Sequence, residues 1–375
     1  GRGESSCPKV EAVAVTKGVI KAVGSIDEVF RRAGPKTQVI FLNQQTLMPG
    51  FIEPHTHAIL SANVRSQYMP IGGTLYSSYD GIRAAMVRKL EELTADPHNK
   101  DWGLFVGWDP ELVDDLPALS ADVLDENFSD SIPIVVVGQS GHIAWANHPA
   151  LKAANLTGAT ENPPGWHIVR DSNNKPTGKL LEAPAIFGVA GMAPRPDGRT
   201  FVEALQDQWK AYASAGFTTV TDLAYQPNPI FDQALMNSAD AWDFPLRLAL
   251  YRLISAVKDK DRPAGHDLTG GVGYYSTRLW EAGIKLMADG SPHSGTSAIR
   301  EPYMYTPLTE TLGFPKAPGY GILNMETEAL FDTVKRHHRE GTQLAIHAHG
   351  ERAVDQVLKV YQQIMTQFPD KDNRH

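Results

Sequence analysis

Two kinds of periodicity alternate along this chain. Near its start, residues 10–23 (EAVAV, then VIKAVG) alternate apolar and polar positions, predicting two short strands joined by a turn at Lys17 and Gly18, and VIFL at 39–42 predicts a third. From Met48 the pattern changes. In PGFIEPHTH, Phe51 and Ile52 read as the buried end of a strand, with Pro54, His55 and His57 at its C-terminal tip. Ile82, Met86, Leu90 and Leu93 recur at helical spacing, as do Val202, Leu205, Trp209 and Tyr212. Between these helices lie strand-like LFVGW (104–108) and IPIVVVG (132–138), then a stretch rich in Pro, Gly and Asn (162–178), which together predict an inserted subdomain.

Beyond the second helix, apolar strands at 217–222, 246–251, 284–288 and 343–347 are interleaved with helices at 326–340 and 352–366. Continuous apolar strands followed by amphipathic helices predict a parallel α/β sheet covered on both faces. A barrel is expected rather than an open sheet, because no Gly-rich phosphate loop follows the first strand.

Composition narrows the function classes. With 375 residues, 42% hydrophobic and 21% charged, the chain can bury a sizeable core and has room for two domains or one large barrel with an insertion. A net charge of −8 without a basic cluster argues against a nucleic-acid partner. No apolar run approaches the roughly 20 residues needed to cross a bilayer; the nearest, 245–257, is broken by Arg247 and Arg252, so a membrane partner is not expected. The single Cys7 cannot form an internal disulfide, which leaves the compartment open with the cytoplasm favoured. Residues 1–8 carry no initiating Met, basic start or apolar stretch, so a signal peptide is not expected and the natural start of the chain is expected to lie upstream.

His55 and His57 are the sharpest chemical signal. Residues two apart on a strand point the same way, so both imidazoles would converge at the mouth of a barrel, where such folds place their active sites. Two neutral imidazoles suit a divalent metal such as zinc; the competing reading is a hydrogen-bonded surface pair, which placement at the tip of a buried strand disfavours. His347 and His349 form a second such pair after LAI, with His347 the candidate and His349 dependent on where the chain turns before Gly350. His337 and His338 sit among charged helix residues and read as solvated. His98, His148 and His167 fall in loops without a recognisable constellation. Lys285 lies inside apolar IKLMADGS, where an unpaired ammonium would cost several kcal/mol to bury. Two explanations compete: a salt bridge to Asp289 or Asp222, or reaction with CO₂ to give a carbamate able to bridge two metals. Phe51, Tyr68, Trp108 and Trp145 suggest an apolar or aromatic substrate group, against the alternative of core packing.

PGFIEPHTH, GFTTVTD, GIKLMADGS and LAIHAHGERAVD together resemble the amidohydrolase superfamily, specifically the amidohydrolase-3 (YtcJ-like) branch that includes N-substituted formamide deformylases. SGHIAWAN, GWDP and GKLLEAPA resemble segments that this branch carries between its first and second barrel strands. The resemblance implies a TIM (β/α)8-type metal-dependent hydrolase barrel with a small N-terminal β-sandwich part. The expected division is 1–47 for that part, 48–79 and 195–375 for the barrel, and 80–194 for an inserted α/β subdomain. It also implies that His55 and His57 bind one metal, that Lys285 is a carbamate bridge, that His347 binds a second metal, and that Lys285 and His347 serve catalysis. His142, Trp145, Glu182 and Trp108 would line the substrate side.

The implied cofactor is a divalent metal, zinc by preference, as one or two ions. The implied reaction is hydrolysis of a C–N bond in a small amide or N-substituted formamide by metal-activated water. The rivals are a non-catalytic binding or assembly protein, and a deaminase or isomerase on the same barrel. A small-molecule substrate and a homodimeric second copy are the expected partners. Two departures stand out: Glu351 where the family commonly has Asp after HAxG, and His349 where a ligand is unusual. DNRH at 372–375 resembles the start of the family's strand-six segment. The barrel is therefore expected to stop after strand five, without the later His and the strand-eight Asp, with the remainder belonging to a longer protein or to another chain.

Overall fold

The computed structural model describes residues 10–95, 98, 100–162, 167–194, 198–226, 229–240, 244–254, 274–276, 278–311, 314, 319–369 and 374–375. The chain divides into two compact units, Gly1–Pro49 and Gly50–His375.

In the first unit, β1 (Ala12–Thr16) and β2 (Val19–Gly24) form an antiparallel hairpin. Its turn places Lys17 at φ 51° and Gly18 at φ 74°, the left-handed pair that matches the twist of a two-residue hairpin. Helix Ile26–Phe30 follows, started by a capping box between Ser25 and Glu28. The strand expected at 39–42 is not formed: these residues are irregular, with Ile40 and Phe41 largely exposed. Apolar β-branched residues make a strand only when a neighbour takes up their backbone groups, and no described residue pairs with them.

In chain order the second unit contains β3 (Phe51–Thr56), β4 (Met69–Pro70), β5 (Gly103–Trp108), β6 (Ile134–Gly138), β7 (Ile143–Ala146), β8 (His167–Arg170), β9 (Pro176–Leu181), β10 (Phe217–Tyr225), β11 (Arg247–Leu253), β12 (Tyr274–Ser276), β13 (Leu279–Met287) and β14 (Gln343–His347). Strands β3, β10, β11, β13 and β14 lie side by side in that order, all parallel, with short β12 antiparallel on β13. This is the half-barrel of an α/β fold. Its outer face is buried under helices. Ala58, Ile59 and Ala62 of helix Ala58–Gln67 join Leu205 and Trp209 of helix Gly198–Ser214 over Val220, Leu248 and Leu250. Leu330 and Val334 of helix Thr327–Glu340, with Val360 and Ile364 of helix Glu351–Gln367, cover Leu286 and Leu344.

The expectation that Phe51 and Ile52 are buried fails. They are 47% and 64% exposed, because β3 is an edge strand whose one described neighbour is β10. The second sheet runs β4-β5-β6-β7-β9-β8, parallel from β4 to β6 and antiparallel beyond. Apolar clusters fill both its faces, and its first strand begins at Met69, ahead of position 80.

A bulge in β13 decides which side chains face the half-barrel's interior. Leu250 pairs with Glu281 and Tyr251 with Gly283, so Ala282 is an extra residue. Without it, strict alternation would keep Lys285 on the same face as Leu279, which packs in the outer core. The extra residue flips the phase, sending Leu286 outward and Lys285 inward.

Candidate active site

An open cavity of about 590 Å³ runs the length of β14 from Gln343 to His347 and is also lined by His55 of β3, Tyr251 of β11, Lys285 of β13, His349 and His375. His57 lies just past the end of β3, at the cap of helix Ala58–Gln67. Its ring centroid is 5.7 Å from that of His55, as the two-residue strand spacing requires. The His57 Nδ1 is buried with no hydrogen-bond partner among the described residues. The His347 and His349 rings are 4.5 Å apart, but β14 ends at His347, and His349 is exposed on the turn that follows.

Electrostatics favours unprotonated nitrogens here. Desolvation, followed by the like charges of His55, Lys285, His142 and His347, lowers the His57 pKa to about 4. Desolvation is also the largest cause of the lowered values of His55 and His347. Lys285 is 3% exposed, and burial alone pushes its amine down to about 8. The salt bridge offered for Lys285 is not formed. Asp222 accepts the backbone N–H groups of Ile59 and Ala224 at 2.8 and 2.9 Å. Asp289 accepts those of Ala298, His349 and Gly350 at 2.9, 2.9 and 2.7 Å. Both carboxylates are thus committed to holding loops.

Asp289, which sequence reasoning treated only as a partner for Lys285, organises the rim. Fully buried at the end of β13, it ties the loop after β13 to the turn after β14. His347 Nε2 donates to the Gly290 carbonyl at 2.9 Å and lies 3.7 Å from Asp289 Oδ1. Gly350 is required where it stands, since any Cβ there would strike the Ala298 carbonyl. A strand-end Asp followed by Gly was the available signal.

The inserted sheet delivers a further group. His142 Nδ1 is 2.8 Å from Glu182 Oε2, and the His142 ring centroid is 6.1 Å from that of His347. Trp108 and Trp145 are not at this rim. Both are 2% exposed in the core of the inserted sheet and line a separate cavity of about 170 Å³ with Glu111, Gln139 and His293.

Four other histidines depart from expectation, whereas His98 lies in a turn as expected. His337 and His338 are buried rather than solvated, at 5% and 1% exposure. His337 Nδ1 bonds to Glu340 at 3.1 Å and His338 Nδ1 to His375 at 2.8 Å. They continue the stripe Leu330, Thr333 and Val334 at helical spacing, which was the signal for burial. His148 opens helix His148–Ala153 and bonds to Asp125, and His167 begins β8; neither lies in a loop.

Among the described residues no group of three His, Cys, Asp or Glu side chains is placed to hold a metal ion. The rim nevertheless fits part of a donor set for a divalent cation: imidazole nitrogens held unprotonated, one of them buried without a partner, beside an amine that gives up its proton readily. Among the described residues no helix is long and apolar enough to cross a membrane.

Comparison with known proteins gives the family and the fold. The amidohydrolase-3 model, described as Amidohydrolase family, matches residues 38–374. The protein named "Putative amidohydrolase YtcJ" of Bacillus subtilis (strain 168) is 26% identical over 375 residues, covering 98% of this chain and 64% of that protein. The N-substituted formamide deformylase of Arthrobacter pascens is 28% identical over 226 residues, covering 58% of this chain and 39% of that enzyme. The crystal structure of an uncharacterized metal-dependent hydrolase from Pyrococcus horikoshii OT3 superposes with a TM-score of 0.62 at 20% identity, covering 94% of this chain and 64% of that one. The chain spans about three fifths of the length of the first curated relatives it matches.

Proposed function

From the premise that this chain belongs to the amidohydrolase family, we propose that it carries the metal-binding rim of a hydrolase that cleaves a C–N bond of a small amide, of the N-substituted formamide type. The observation that carries this reading is one cavity shared by His55, Lys285 and His347, with the His57 Nδ1 unpaired among the described residues. His55, His57, Lys285 and His347 would hold one or two divalent ions, zinc by preference. Such an ion, when bound, lowers the pKa of a water towards neutrality and polarises the scissile carbonyl.

The chain's own groups prepare that chemistry. Burial keeps the imidazoles unprotonated, so each offers a lone pair near neutral pH. An amine with a pKa near 8 is a nucleophile for CO₂. Once the ammonium has given up a proton, the neutral amine attacks CO₂: an N–C bond forms as a C–O π bond opens onto oxygen, and a second proton leaves the nitrogen, so that a buried cation becomes a carbamate with two ligating oxygens. Asp289 ties the turn just after His347 to the loop after β13, so the ligand does not have to be ordered on binding. The inserted sheet brings the His142 ring to within 6.1 Å of that of His347.

Amine release from N-substituted formamides and acyl amides, followed on zinc-loaded protein with and without His55→Ala and His57→Ala, tests the reading. Turnover that disappears in both variants supports it. Tight zinc binding without turnover of any amide refutes it, and favours a binding role.

A further inference from the structure

Glu182 occupies φ 72° and ψ 152°, a region reserved almost entirely for glycine. It ends β9 and opens helix Ala183–Ala190, yet its side chain makes no cap to that helix. It points instead into the protein at 5% exposure, with both carboxylate oxygens engaged. Oε2 accepts from His142 Nδ1 at 2.8 Å, and Oε1 accepts from the Thr296 hydroxyl. The Glu182 N–H donates to the His142 carbonyl at 2.8 Å, which carries the β7–β9 ladder one step past Ile143 and Leu181. Thr296 is itself fixed: its hydroxyl also accepts from the Ser291 N–H at 2.9 Å and lies 2.7 Å from Ser294 Oγ. The fit is tight enough that a Cβ on Gly290 would strike both Glu182 Oε1 and Thr296 Oγ1.

A buried non-glycine residue persists in such a conformation when its surroundings over-determine it, and that is where function is to be sought. The purpose can be read from the acceptor. A carboxylate anchored by Thr296 accepts a proton-bearing nitrogen, so His142 carries its hydrogen on Nδ1 and presents Nε2 as a bare lone pair. Nε2 has no partner among the described residues, the side chain is 21% exposed, and the ring stands beside that of His347.

We propose that Glu182 is a positioning residue that locks His142 in its Nδ1–H tautomer, so that Nε2 accepts a hydrogen bond from an N–H group of the substrate and the site selects amides that keep a hydrogen on nitrogen. Selection of substrate rests on the hydrolase reading above; the tautomer does not. A site built to accept an N–H leaves its acceptor unpaired against an analogue that lacks one, and discriminates strongly for that reason.

Nitrogen-15 NMR of histidine-labelled protein reads the tautomer directly, with the His142 signals assigned by their loss in His142→Gln. The Nδ1–H form is expected in the unaltered protein. In Glu182→Gly, whose backbone suits the conformation, the population moves towards Nε2–H. Protonation on Nε2 in the unaltered protein overturns the proposal, and that spectrum decides even if the variant does not fold. An unchanged tautomer in folded Glu182→Gly also overturns it. On the substrate side, an N-monosubstituted formamide should be hydrolysed about a hundredfold faster than its N,N-disubstituted counterpart, the effect of one acceptor left unpaired, with the gap narrowing in Glu182→Gly. Equal rates overturn the selection. Turnover of neither compound refutes the hydrolase reading and the selection with it, whereas a wrong tautomer refutes only the role of Glu182.

Discussion

Replacing Lys285 by methionine separates the cost of a buried ammonium from its use. The side chain is 3% exposed, with no described carboxylate paired to it, and burial lowers its pKa from 10.5 to about 8. Between those values the unfolded chain holds a proton that the folded protein has given up, so stability rises with pH from about 8 to 10.5. Below pH 8 both states are protonated and the whole penalty applies, roughly 3 kcal/mol at about 1.36 kcal/mol per tenfold change in acidity. Methionine has similar length and no charge. In metal-free, bicarbonate-free buffer, urea unfolding should therefore find Lys285→Met more stable than the natural protein at pH 7, by roughly 2–3 kcal/mol, with the difference shrinking as pH approaches 10.5. Adding zinc and bicarbonate should close the gap and, at a thousand times the dissociation constant of the lysine protein, where its gain is about 4.1 kcal/mol, reverse the order, since the variant lacks one of the four groups and binds more weakly. A variant less stable at pH 7 by an amount independent of pH would refute the reasoning, because it would mean that the ammonium is paired in the folded state.

Other consequences are as direct. Asp289→Ala orphans three backbone N–H groups and should lower unfolding stability by roughly 2–4 kcal/mol, measured by denaturant titration; a loss under about 0.5 kcal/mol would contradict its organising role. Gly350→Ala drives a methyl into the Ala298 carbonyl and should cost roughly 3 kcal/mol, seen as a fall in melting temperature. His57, with a pKa lowered to about 4, resists the proton that its unfolded form takes up below 6.5. Stability should accordingly decline as pH falls from 6.5 to 4. His375 has the same depression, so His57→Gln and His375→Gln should each flatten part of that decline, and an acid limb unchanged in both variants would sink the assignment.

Much of the half-barrel was legible because its strands are apolar on both faces and its helices amphipathic. The strand at 343–347 follows from pattern alone, as does the apolar stripe of helix Tyr79–Thr94, where Ile82, Met86 and Leu90 are buried. The convergence of His55 and His57 followed from strand parity. The inward aim of Lys285 did not, because it depends on the bulge at Ala282, which period-two reasoning cannot detect. Phe51 and Ile52 misled for a related reason: apolar residues on a strand are buried only if something covers them, and edge position is a property of topology. His337 and His338 were misread by weighing neighbouring charges above the helical period that places them with Leu330 and Val334. Glu182 was singled out by resemblance, but its strained backbone was not legible, since a positive φ on a non-glycine residue is imposed by the tertiary contacts of both its oxygens.

The central claim is that the strand-end imidazoles and Lys285 form part of one divalent-cation site. Calorimetric titration of metal-free protein with zinc at pH 7.5, alongside the His55→Ala, His57→Ala double variant, tests it most directly. The account predicts saturable binding of at least one ion per chain in the natural protein and its loss in the double variant. Equal binding by the two proteins, or none by either, would contradict it.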